Sequence, residues 1–178
     1  MSKIDLSRHE FLLDRAAYFA DKPRLYLEIK QRLAHELSQS VSSIRVCGSA
    51  YWGRKYADGS DFEPGRSDLD VAIVSARLFA QCMSEVRAIT SGFTDLTPFP
   101  MIAGENGYAR FQQYALQKGM LSLSFLPRIK TGSRLKSVSE VVSRDYLDHF
   151  SNISICVYDS DDAFAVKQAG AYVKLKGK

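Results

Sequence analysis

The chain has 178 residues, 46% of them hydrophobic and 25% charged, with a net charge of +4. That is enough length for one domain (1–178) with a proper core, and the composition is that of an ordinary globular protein. No apolar run approaches the roughly 20 residues that span a bilayer, and the opening residues mix acids and bases without the apolar centre of a signal peptide, so no membrane partner is expected.

The elements divide into N-terminal helices (1–43), a central block (44–90) and a C-terminal set of helices and strands (91–178). Phe11, Leu12, Ala16, Phe19 and Ala20 recur at helical spacing and predict a helix over 7–20 with Ser7 as N-cap. Asp21-Lys22-Pro23 breaks it, and Pro23 opens a second helix with Leu25, Ile29, Leu33 and Leu37 as its buried stripe. Ile44–Cys47 reads as a strand. Gly48-Ser49 turns into a short helix, a polar loop follows to residue 66, and 68–75 is a second strand. A third helix is predicted over 76–90. Residues 91–107, with two prolines and three glycines, read as irregular. A helix over 108–118 and a strand over Met120–Leu126 come next. Pro127–Lys136 reads as a basic loop, and Ser137–Glu140 matches a capping box opening a helix to about His149. Asn152–Tyr158 alternates as a strand, and Asp159–Asp162 caps a last helix whose lysine-rich end frays. Helices before, between and after a few short strands indicate an α+β (α/β-like) fold, a small mixed sheet flanked by helices.

Cys47, Cys82 and Cys156 form no CxxC pair, which predicts reduced, cytoplasmic thiols. His9, His35 and His149 show no metal-ligand spacing. Chemistry concentrates instead at Asp68 and Asp70. Strand alternation puts both on one face, about 6–7 Å apart, with Leu69, Val71 and Ile73 turned to a core. Paired carboxylates beside a buried strand are unfavourable unless they bind a cation or act on a substrate, and hard oxygen ligands suit Mg²⁺ held together with substrate phosphates. Gly48-Ser49, ending a strand and opening a helix, offers backbone N–H groups to such phosphates. A solvated strand start capped by Ser67 is the plainer account of the same acids. For Arg128, Lys130, Arg134 and Lys136 a solvated face is the plain reading and an RNA or DNA footprint the sharper one.

An apolar strand, Gly48-Ser49, a loop and then Ser67-Asp68-Leu69-Asp70 followed by Val71-Ala72-Ile73-Val74 resembles the signature of the polymerase-β-like nucleotidyltransferase superfamily. The resemblance implies a small mixed sheet, two Mg²⁺ ions (Mn²⁺ as a substitute) and transfer of a nucleoside monophosphate from a nucleoside triphosphate to a hydroxyl. The acceptor would be a protein, an RNA end, a small molecule or another nucleotide. On this reading Asp68 and Asp70 are metal ligands and catalytic residues. Gly48 and Ser49 form the phosphate-binding turn, Ser67 is a further nucleotide-binding residue, and Arg54, Lys55 and Arg66 neutralise phosphate charge. Small stand-alone members of the superfamily often act in toxin–antitoxin or anti-phage settings. The spacer from Ser49 to Asp68 is longer than the family pattern. The family's third carboxylate, carried on a later strand, has two candidates here, Asp159 at the end of 152–158 and Asp95 in the irregular stretch. The rival expectation is a module that keeps the fold and binds nucleotide or a partner chain as a regulator.

Overall fold

The computed structural model describes residues 2–176. Its centre is a four-stranded mixed sheet ordered β1-β2-β6-β5. β1 (Ile44–Cys47) runs antiparallel to β2 (Leu69–Val74), β2 runs parallel to β6 (Ile153–Tyr158), and β5 (Met120–Ser122) closes the far edge antiparallel to β6. The register places Cys47, Asp70 and Ser154 side by side across three strands. Their neighbours one residue along, Val46, Leu69, Val71, Ile153 and Ile155, are essentially inaccessible and belong to the core. Side chains alternate along a strand, so the sheet has one apolar face and one mixed face that carries Asp70, Cys47, Cys156 and Tyr158.

Helices α2 (Pro23–Leu37), α4 (Ala76–Ile89) and α6 (Lys130–Asp145) pack behind the apolar face, each turning a stripe of Leu, Ile and Val inward. The mixed face lies under α7 (Asp161–Lys176), on which α1 (Lys3–Leu12) packs in turn. Between β1 and the loop to β2 sits the short α3 (Gly48–Trp52). A two-stranded ribbon, β3 (Met101–Ile102) with β4 (Glu105–Asn106), stands in the stretch expected to be irregular. After it, α5 (Tyr108–Phe111) passes into one π-helical turn over Gln112–Leu116. Among the described residues no helix is long and apolar enough to cross a membrane, and the three cysteines are free. Tyr158 and Phe164 belong to the core, 3% and 2% exposed.

Three local expectations give way. The first helix starts four residues early. Ser2 caps it, accepting the Asp5 N–H at 3.1 Å while the Asp5 carboxylate accepts the Ser2 N–H at 3.2 Å. Ser7 is therefore buried inside the helix. The helix stops at Leu12 because Asp14 takes a left-handed conformation, fixed by Lys30 Nζ at 2.8 Å and by the Tyr26 hydroxyl. The "basic loop" is mostly helix: α6 begins at Lys130, so Ser137–Glu140 lies within it and caps nothing. Its cap comes from another element, since Glu85 on α4 accepts the Thr131 N–H at 2.8 Å. The strand over Met120–Leu126 shortens to Met120–Ser122, after which the chain turns and both Phe125 and Leu126 amides bond back to the Ser122 carbonyl. The lysine-rich end, expected to fray, is helical through Lys176; Gly177 and Lys178 lie outside the described residues.

Candidate active site

Gly48 and Asp70 form one unit. Cys47 and Asp70 are directly paired on β1 and β2, so the chain leaving β1 must turn against the Asp70 side chain. Gly48 makes that turn at φ +64°, and a Cβ there would sit 1.9 Å from Asp70 Oδ2. Only glycine combines that backbone conformation with that contact. The amide turn and the carboxylate expected to share a ligand are thus pressed together.

Asp70 is half-buried. Its Oδ1 accepts a 3.2 Å hydrogen bond from Ser154 Oγ, its neighbour across the parallel ladder. Burial pushes its pKa above the ordinary 3.8, the Ser154 hydrogen bond offsets part of that, and the charge on Asp68 pushes it up again. Asp68, two residues before it and just ahead of β2, is exposed, and its Oδ1 accepts a 2.6 Å bond from Ser151 Oγ. The turn before β6 holds it there. Ser151 N–H donates to the Ser67 carbonyl at 3.1 Å, Leu69 N–H to the Asn152 carbonyl at 2.8 Å, and Gly65 N–H to the His149 carbonyl at 2.9 Å. Among the described residues no basic side chain pairs with either aspartate. A half-buried carboxylate with its charged form disfavoured, and an exposed one two residues before it, are oxygen donors of the kind a hard divalent cation takes. No group of three or more His, Cys, Asp or Glu forms a complete cation cage among the described residues.

The remaining expected residues fall into different places. Ser49 is half-buried in the first turn of α3, beside Gly48. Ser67 is buried, and its hydroxyl accepts the Glu63 N–H at 3.0 Å, so it braces the loop. Lys55 and Arg66 both lean on Glu63, at 3.7 and 3.5 Å. Arg54 is exposed, its backbone bridged to Asp61. None of these three cations lines the cavity beside Asp70. The third carboxylate is a correction. Asp159 stands five residues beyond Ser154 on β6, about 16 Å along the strand from the level of Asp70. It lies over Gly119 with Ser160 Oγ donating to it at 2.7 Å. Asp95 closes its own turn, accepting the Thr97 N–H and hydroxyl at 2.9 and 2.7 Å. Neither reaches the pair, and the place beside Asp70 on the next strand belongs to Ser154.

Long-range folding supplies what local sequence did not mark. Beside Asp70 a cavity of about 290 Å³ opens between the sheet and α7. Trp52, Tyr56, Tyr158, Lys167 and Gln168 are among its walls. Trp52 packs with its ring centroid 5.6 Å from that of Phe11 and also borders the cavity. Burial, with the Asp70 charge adding to it, pushes the Cys156 thiol up to about 11 and the Cys47 thiol well above its usual value. Ser151 and Ser154 carry no signal in the sequence, because their roles depend on β6 pairing with a strand more than eighty residues earlier. No family model, curated protein or solved structure matches the chain.

Proposed function

We propose that the protein is a Mg²⁺-dependent nucleotidyltransferase that moves a nucleoside monophosphate from a nucleoside triphosphate to a hydroxyl acceptor, a protein or RNA group among the candidates. The observation that carries this reading is the Gly48–Asp70 contact. A glycine turn able to present amides to phosphate abuts a half-buried carboxylate that forms no ion pair among the described residues.

Asp68 and Asp70 would hold the cation, which supplies charge neutralisation of the triphosphate when bound. The protein's own part is positioning. Ser151 and Ser154 fix the two carboxylates, and Gly48 and Ser49 offer donors to phosphate oxygens. Transfer forms a bond from the acceptor oxygen to the α-phosphorus and breaks the bond to the bridging oxygen, with pyrophosphate leaving and the hydroxyl proton passing to solvent. Such a reaction asks the protein mainly for alignment and electrostatic stabilisation.

A second reading, nucleotide binding without turnover in a regulator, is favoured by one specific observation. A serine hydroxyl, not an acid, faces Asp70 from β6. The two separate in one assay. The protein is incubated with each α-labelled nucleoside triphosphate and Mg²⁺ or Mn²⁺, and label transfer and pyrophosphate are followed. Transfer that disappears in Asp70→Ala, with the circular dichroism spectrum unchanged, supports the enzyme. Saturable binding without pyrophosphate release supports the regulator, and absence of binding removes both.

A further inference from the structure

We infer that the cavity under α7 receives the planar base of the nucleotide whose phosphates meet Gly48 and Asp70, and that Gly170 keeps the space open for it. This rests on the nucleotide-binding reading above. The cavity of about 290 Å³ lies at the small end of ligand sites, which run from roughly 300 to 1,000 Å³, a size for a nucleoside and not for a stretch of polymer. Its contents suit a heteroaromatic ring. Gly48 and Asp70 line it together with three aromatic residues, Trp52, Tyr56 and Tyr158. Gln168, 8% exposed, brings an amide that both donates and accepts.

Two features are hard to explain by packing alone. Tyr56 is 54% exposed, yet it is fixed in place: Lys174 on α7 donates to the Tyr56 carbonyl and stands 4.3 Å from the ring centroid. Gly170 lies in the interior of a 16-residue helix, where glycine is disfavoured. Its φ is not in the left-handed region, and a Cβ there would meet nothing within 4 Å. Neither backbone conformation nor crowding requires glycine at this position, and it borders the cavity. A side chain there would narrow the space beside Asp70.

Trp52 is the single tryptophan of the chain, so its fluorescence reports on the cavity. The test titrates the full chain, in Mg²⁺, with ATP, GTP, CTP, UTP and inorganic tripolyphosphate, following Trp52 emission and heat of binding. Base stacking predicts that at least one nucleotide binds about tenfold or more tighter than tripolyphosphate and changes Trp52 emission. Gly170→Phe is expected to abolish that preference while tripolyphosphate affinity stays within about twofold, and Gly170→Ala to retain it. Tyr56→Ala, on an exposed loop, is expected to give the same selective loss and serves if Gly170→Phe does not fold. Nucleotide binding no tighter than tripolyphosphate, or a preference that survives both Gly170→Phe and Tyr56→Ala, overturns the base site and leaves the phosphate and cation reading standing. Binding of neither nucleotide nor tripolyphosphate overturns both.

Discussion

Asp70 and Glu85 are both half-buried acids facing a neighbouring element, and the fold treats them in opposite ways. Glu85 on α4 accepts the Thr131 N–H, the Thr131 hydroxyl and the Gln81 amide. Burial alone would raise its pKa, but those hydrogen bonds outweigh it and hold the carboxyl below its ordinary value. The charge is consumed as the cap of α6, where a helix N-terminus favours an anion. Asp70 has a single serine hydroxyl, a second carboxylate nearby and an open cavity, and its pKa moves up. An acid whose valences the chain fills holds the structure together, whereas one left short of partners is available to a ligand.

The contrast is sharpest in activity. Asp70→Ala is expected to lower nucleotidyl transfer by about 10³-fold or more without loss of thermal stability, and transfer persisting at wild-type rate would place the chemistry elsewhere. Glu85→Ala should do the reverse. It leaves the Thr131 amide unmet at a helix start and is expected to destabilise by about 1–3 kcal/mol, read as a lower denaturation midpoint, with cation and nucleotide affinities unchanged. The pH dependence carries the sign. Glu85 is held below its ordinary 4.5, so its contribution is present above that pH and fades as pH falls through the folded value; the stability difference between Glu85→Gln and the parent should shrink in the same window.

Gly48→Ala tests the contact between turn and carboxylate. Left-handed strain and the clash with Asp70 together predict a loss of about 1–3 kcal/mol. Because the clash is with the Asp70 side chain, adding Asp70→Ala should restore part of it; full additivity in a double-mutant cycle would mean the two sites are uncoupled. The smallest effect is expected from Asp70→Asn. With the folded pKa raised, ionisation of Asp70 disfavours the native state once pH climbs above the unfolded value near 3.8. The asparagine variant should therefore melt about 2–4 °C higher at pH 7, the shift that 1 kcal/mol gives in a domain of this size. That gain should vanish below the unfolded value, and Mg²⁺ should raise the midpoint of the parent and not of the variant.

The elements that were legible before folding are those whose signals are local. Pro23 at a helix start, the Leu25–Leu37 stripe, the apolar alternation of Leu69, Val71 and Ile73, and that of Ile153, Ile155 and Val157 all correspond to elements found there. Asp68 and Asp70 were marked by spacing, and Gly48 by its place after a strand. The misreadings have a common cause. Ser7 and Ser137 both look like caps because a cap is judged from three or four adjacent residues. The real caps were decided by Ser2, which lay upstream of the periodic stretch, and by Glu85, forty-six positions from Thr131 in the chain. Asp159 was proposed because it ends the right strand, but strand direction puts it at the wrong end.

What this sequence determined by itself was the alternation of apolar and polar residues, hence the mixed sheet with helices around it, and two carboxylates beside a glycine turn. What only the tertiary structure decided was their company. Parallel pairing of β2 with β6 set Ser154 rather than an acid against Asp70, and the crossing of α7 over the mixed face enclosed the cavity with Trp52, Tyr56 and Gln168. Local structure follows from interactions between near neighbours, which the order of residues fixes directly. The site depends on contacts across more than eighty residues, and those are fixed only when the whole core closes.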